Sequence, residues 1–132
     1  MSNTADSTLD LARRLRELAD GLNEAELRSA LSRSYYSVFH AARVLGRVGP
    51  GKKVTQGNVV EVMSDFDQHL GASIRELRNT RHKADYDENY VERDFGGDLE
   101  IFRSEVRKLL DQGLLAYRRI VTEIQQRRSN GN

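Results

Sequence analysis

No cysteine occurs in the 132 residues. Disulfides, thiolate nucleophiles and cysteine-bound zinc are therefore excluded. Tryptophan is missing too, and the one proline is Pro50, in Val48-Gly49-Pro50-Gly51-Lys52-Lys53. That stretch is the only obvious loop composition in the first half, so the rest of that half is free to be helical. No run approaches the roughly 18 apolar residues that would span a bilayer. Met1 to Leu11 is acidic and polar with no apolar core, unlike a secretory leader, so a cytoplasmic location and no membrane are expected. Nor is one sign of charge in excess. The 21 basic and 20 acidic side chains leave +1, which by itself argues for neither a nucleic acid nor an anionic membrane. Seventeen of the basic residues are Arg and four are Lys. Arg grips phosphate bidentately where Lys does not, although a compositional bias of the source genome gives the same count.

What is present is apolar residues in periodic clusters, which is the pattern of a folded chain rather than a disordered one. The length suits a single domain over 1–132, ordered from about 8 to 126. Leu11, Leu15, Leu18 and Leu22 mark a first helix over about 8–21, stopped by Gly21. Asn23-Glu24-Ala25-Glu26 approaches a capping box and opens a helix over about 24–47. Leu27, Ala30, Leu31, Ser34, Val38, Ala41, Ala42 and Leu45 form its inward stripe. Thr55 is placed to cap a third helix, which runs to about Leu70 and ends at Gly71. A fourth follows over about 73–86. The connection from Asp87 closes on Gly96-Gly97, and a long last helix covers about 98–126, leaving Arg127 to Asn132 as a loose tail. No alternating β pattern competes. The fold class expected is all-α, an antiparallel bundle of four to five helices.

Two places carry chemistry. Tyr35, Tyr36, Phe39 and Arg43 extend the second helix's apolar stripe to its flank and back. Either that wide stripe meets two neighbouring helices, or it is left over for a partner copy as a dimer interface. In the fourth helix, with Ile74 at 0°, Leu77 falls near about 300°, Ala84 about 280°, Arg81 about 340° and Asp85 about 20°. Arg81 and Asp85 thus stand on the inward stripe, with Arg78 and His82 beside them. One reading is an i,i+4 ion pair covering the bundle's end. The other is a polar cleft for a phosphodiester, in which Arg neutralises the phosphate and His82 or Asp85 handles a proton. His40 and His69 lie on separate helices, and no pair has metal-ligand spacing, so neither metal nor cofactor is expected.

Ser32-Arg33-Ser34-Tyr35-Tyr36-Ser37-Val38-Phe39-His40 resembles the second helix of the HEPN superfamily, in the branch that reads Ser-Arg-x-Tyr-Tyr-x-x-Phe-His. Arg81-His82-Lys83-Ala84-Asp85-Tyr86 resembles that branch's Arg-x-x-Ala-Asp-Tyr. Lys53-Val54-Thr55-Gln56 stands where the branch often has Lys-Thr-His, with Gln in place of His. The resemblance implies a HEPN-like homodimer with a metal-independent RNase site in the dimer cleft, a toxin or defence effector acting on RNA. Catalysis is expected from Arg81, His82, Asp85 and Arg78, with Asn79, Arg33 and Tyr86 holding substrate. Arg78-Asn79 resembles the opening of the family's Arg-to-His motif, but His82 follows after three residues where the family has four to six. Tyr86 matches a position that a separate nucleotidyltransferase antitoxin adenylylates in some family pairs. The alternative is a non-catalytic HEPN module that binds nucleotide, RNA or a protein.

Overall fold

The computed structural model describes residues 21–48 and 52–130, with Asp10, Arg13, Arg14 and Glu17 before them. The helix expected over 8–21 therefore lies mostly outside the described residues, as does the tip of the Pro50 loop. From residue 21 onward the described elements are helices α1 (Glu24–Gly46), α2 (Val59–Phe66), α3 (Gln68–Tyr86), α4 (Tyr90–Phe95) and α5 (Leu99–Asn130). No strand occurs among the described residues.

Helix α1 starts where its local chemistry dictates. The Asn23 side chain accepts from the Glu26 amide at 2.9 Å, and the Asn23 amide donates to the Glu26 carboxylate at 3.0 Å. This closes the capping box and satisfies two backbone donors that a helix start leaves unpaired. Its expected stripe, Leu27 through Leu45, is buried throughout.

The segment after the Pro50 loop departs from expectation. Thr55 does not cap a helix; its amide donates to Asn58 Oδ1 at 2.8 Å, within a turn that precedes α2. The break between α2 and α3 falls at Asp67, which is extended (φ −158°, ψ 114°), and not at Gly71. The Asp67 carboxylate accepts from the amides of His69 and Leu70 and so starts α3. Gly71 sits inside α3 because the backbone of Ser64 passes close by: a Cβ there would lie 2.6 Å from Ser64 Cα. The glycine marks a helix crossing rather than a helix end.

The connection from Asp87 contains the short helix α4, whose buried Tyr90 packs edge-on against Phe102. Gly96 (φ 61°) and Gly97 (φ 75°) then reverse the chain in left-handed geometry, which residues with a side chain resist. The Asp98 carboxylate accepts from the amides of Glu100 and Ile101 at the start of α5. Helix α5 does not stop near 126. It continues to Asn130, held where Arg127 donates to the Val48 carbonyl and pairs with Glu123.

The three long helices run up, down, up. Leu22, Ser34 and Val48 meet Arg103, Gly113 and Arg127 in that order, so α1 and α5 are parallel. Helix α3 is antiparallel to both, since Arg28 meets Asp87 and Asp67 meets Arg119. The antiparallel expectation therefore holds for successive long helices and not for the α1–α5 pair. Leu31, Ile74 and Leu109, each fully buried, come from α1, α3 and α5 and meet in one core. Truncating any of them to Ala costs about 2–5 kcal/mol.

Candidate functional site

The helix that carries most of the candidate residues is held at its end by a residue on another element. Arg28 of α1 donates to the carbonyls of Ala84 (2.6 Å), Asp87 (3.0 Å) and Glu88 (3.4 Å), and Glu24 holds its Nε at 3.1 Å. A cation on the open carbonyls of a helix C-terminus is favourable electrostatically. Sequence pattern gave no signal for this, because the partners lie 56 to 60 residues away.

With α3 so placed, Arg81 enters the α1–α3 interface, only 8% exposed. Its Nη1 donates to Asp85 Oδ2 at 3.2 Å, the i,i+4 pair that the spacing predicted. Its guanidinium carbon lies 4.8 Å from the centre of the Tyr35 ring and 5.1 Å from that of Tyr36, within cation–π range of both. Burial opposes its charge. The Asp85 bond and the two phenols more than offset that, and its pKa is held above the ordinary value. Arg81 Nε is buried with no hydrogen-bond partner. Ser32, from the quoted motif, donates to the same Asp85 oxygen at 3.3 Å.

Tyr35 ends on Gln56, to which its hydroxyl donates at 2.6 Å. Burial raises the phenol's pKa, and the positive charges of Arg81 and Arg78 partly oppose that rise. The Arg78 charge thus acts on the same buried phenol, while its half-buried guanidinium has no carboxylate partner among the described residues. Ser32, Tyr35, Tyr36, Gln56, Arg78, Arg81 and Asp85 therefore form one cluster. Ser32 and Gln56 were missed as site residues; each stands within a motif already singled out, but only the packing of α1 on α3 shows what it touches.

Other expected residues lie elsewhere. His82 is exposed, and its ring lies tilted against that of Tyr86, 4.8 Å between centres; Tyr86 is 71% exposed. No bond joins His82 to Arg81 or Asp85. Asn79 is exposed on α3, and Arg33 is exposed on α1. Tyr35 is fully buried and Phe39 is 8% exposed, the two rings stacked 6.1 Å apart. This corrects the premise that both are left over for a partner copy: the α1–α3 interface and the 52–58 segment already cover them. Tyr36, 45% exposed, and the partly exposed Arg43 remain available.

The cluster opens onto a groove. Tyr36 and Gln56 belong to both, and the groove continues past Arg33, His40 and Arg43. Beyond Phe39 it reaches Arg47 and Lys53. Among the described residues, no three His, Asp or Glu side chains converge as metal ligands, and no helix is long and apolar enough to cross a membrane. Compared with known proteins, the chain matches no family model, no curated protein and no solved structure.

Proposed function

We propose that this chain is a HEPN-like homodimer that cleaves RNA without a metal, as a cytoplasmic toxin or defence effector, with a separate nucleotidyltransferase as its antitoxin. The observation that supports this reading best is the charge imbalance at the α1–α3 cluster. Two guanidinium groups, Arg81 and Arg78, act on the buried Tyr35, and one carboxylate, Asp85, pairs with Arg81, beside a groove lined with further cations. In a chain of net charge +1, such a local excess suits a phosphodiester.

Arg81 is fixed by Asp85 and two aromatic rings, so it holds the positive field in place. Arg78, with no carboxylate partner, is the group able to turn towards a substrate phosphate. Asp85, already bound by Arg81 and Ser32, is a poor proton acceptor. His82 at the exposed edge of α3 is left to take the proton of a 2′-hydroxyl; the freed oxygen bonds to phosphorus as the P–O5′ bond breaks, and the departing 5′-oxygen takes a proton from water. Arginine charge on the phosphate removes the need for a metal.

The test is incubation of the purified protein with single-stranded RNA in EDTA. Cleavage leaving a 2′,3′-cyclic phosphate is expected, with His82→Ala inactive and still fully helical. A magnesium requirement, or products bearing a 5′-phosphate, overturns the mechanism. For the dimer, light scattering should give about twice the 15.0 kDa chain mass. Phe39→Glu is no test of the dimer, because it would damage the core of the single chain.

One observation favours a second reading, the non-catalytic module. His82 packs tilted against Tyr86 and does not join the Arg81 cluster. That reading expects RNA to bind and survive intact.

A further inference from the structure

On α1 the residues Arg33, Tyr36, His40, Arg43 and Arg47 follow one another at steps of three, four, three and four. This spacing sets them on one stripe of the helix. They border two adjoining hollows, of about 530 Å³ and about 640 Å³, which share Phe39, Arg43 and Gln56. Lys53 faces the stripe from the 52–58 segment. Among the described residues, no Asp or Glu lines either hollow.

The ion pairs elsewhere give this pattern its weight. Lys83, Arg93, Lys108, Arg119 and Arg127 each pair with a carboxylate. Arg33, Arg43, Arg47 and Lys53 pair with none among the described residues. Like charges held together without counter-charge repel one another, and an anionic ligand relieves that repulsion.

We infer that this groove is a binding track for a single strand of nucleic acid, running along α1 from the Arg81 cluster towards Lys53. The inference deepens the RNA-directed reading above and rests on it for the choice of polymer. From Arg33 to Arg47 the helix rises about 21 Å, at about 1.5 Å per residue. One phosphate or one mononucleotide does not cover that length, so the ligand is a chain that carries several negative charges. Between the cations lies the exposed ring of Tyr36, which suits a stacked base and has nothing comparable to offer an acidic peptide. Arg43, its guanidinium carbon 5.8 Å from the Phe39 ring centre, already shows the cation–aromatic contact such a track uses.

The test separates binding from cleavage by using a 2′-O-methyl uridine dodecamer, which has no hydroxyl to attack. Fluorescence anisotropy over a salt series should give a log–log slope of about −3, from four cations at about 0.7 each on a single strand. Arg43→Gln with Arg47→Gln should weaken binding about tenfold and bring the slope down by about 1.4. Arg75→Gln with Arg118→Gln, exposed arginines outside the groove, should change neither. Equal loss in both pairs, no binding, or equal competition by polyglutamate overturns the track. If the oligomer binds as described and unmodified RNA is never cut, the track stands and the catalytic reading falls. If RNA is cut and the Arg43/Arg47 pair leaves KM unchanged, the cleavage reading stands and the track falls.

Discussion

Arg81 shows how one buried charge organises its surroundings. An unpaired guanidinium at 8% exposure would be costly, and the protein answers with one carboxylate and two ring faces. Arg81→Ala removes all three contacts and should cost about 2–3 kcal/mol in urea unfolding. Arg78→Ala, which removes a half-buried group without a carboxylate partner, should stay within about 0.5 kcal/mol. Equal losses for the two would mean that the aromatic contacts of Arg81 contribute nothing. Arg81→Lys should recover little, because an ammonium cannot lie flat across two rings while donating sideways to Asp85.

At the scale of elements, glycines and one aspartate decide how the helices meet. Gly71 and Gly113 both lie within helices, and both sit at close crossings. A Cβ on Gly71 meets the Ser64 backbone, whereas one on Gly113 meets the Ser34 hydroxyl at 2.4 Å and Leu77 Cδ2 at 3.2 Å. Gly71→Ala should destabilise by about 1–3 kcal/mol, and no trimming of the Ser64 side chain should rescue it. Gly113→Ala should be rescued by Ser34→Gly, since there the obstacle is mostly a side chain and alanine regains about 1 kcal/mol of helix propensity. A thermal melt of the two double variants distinguishes the cases.

Asp67 is the corresponding polar device. The Leu70 amide, with further help from Arg119 and the His69 amide, holds its carboxyl below the ordinary value. A depressed pKa means that the unfolded chain takes up the proton first. Its contribution is therefore complete above about pH 4 and lost as pH falls through the folded value. Asp67→Asn keeps a capping oxygen and loses the charge. Its thermal midpoint should lie below that of the unaltered chain at pH 7, with the gap narrowing as the pH falls below about 4. A gap independent of pH would assign the effect to cap geometry instead.

At the scale of the whole molecule, arginine ties sequence-distant segments together. Arg28 holds the end of α3, Arg103 donates to the Leu22 carbonyl at 2.8 Å, and Arg127 donates to the Val48 carbonyl at 3.2 Å. Three arginines thus sit on main-chain oxygens, and others stand unpaired along the α1 groove. Among the described residues, arginine thus serves both as an internal brace and as a lining of the α1 groove. Composition alone could not separate those two uses, because both need the same planar, permanently charged fork.

The sequence by itself determined whatever depends on neighbours within about four positions. That covers the all-helical class, the α1 capping box, the buried stripe of α1, the Gly96-Gly97 reversal and the Arg81–Asp85 pair. Each follows from helical period or from hydrogen bonds that close within a single turn. Only the tertiary structure decided what depends on which helix lies beside which. It moved the α2–α3 break to Asp67, because Gly71 was needed at the Ser64 crossing. It carried α5 through to Asn130, because Val48 and Glu123 hold Arg127. It took Tyr35 and Phe39 into the core and left Tyr36 at the surface. Residues 35 and 36 point about 100° apart on one helix, and only the position of α3 and the 52–58 segment says which side is covered.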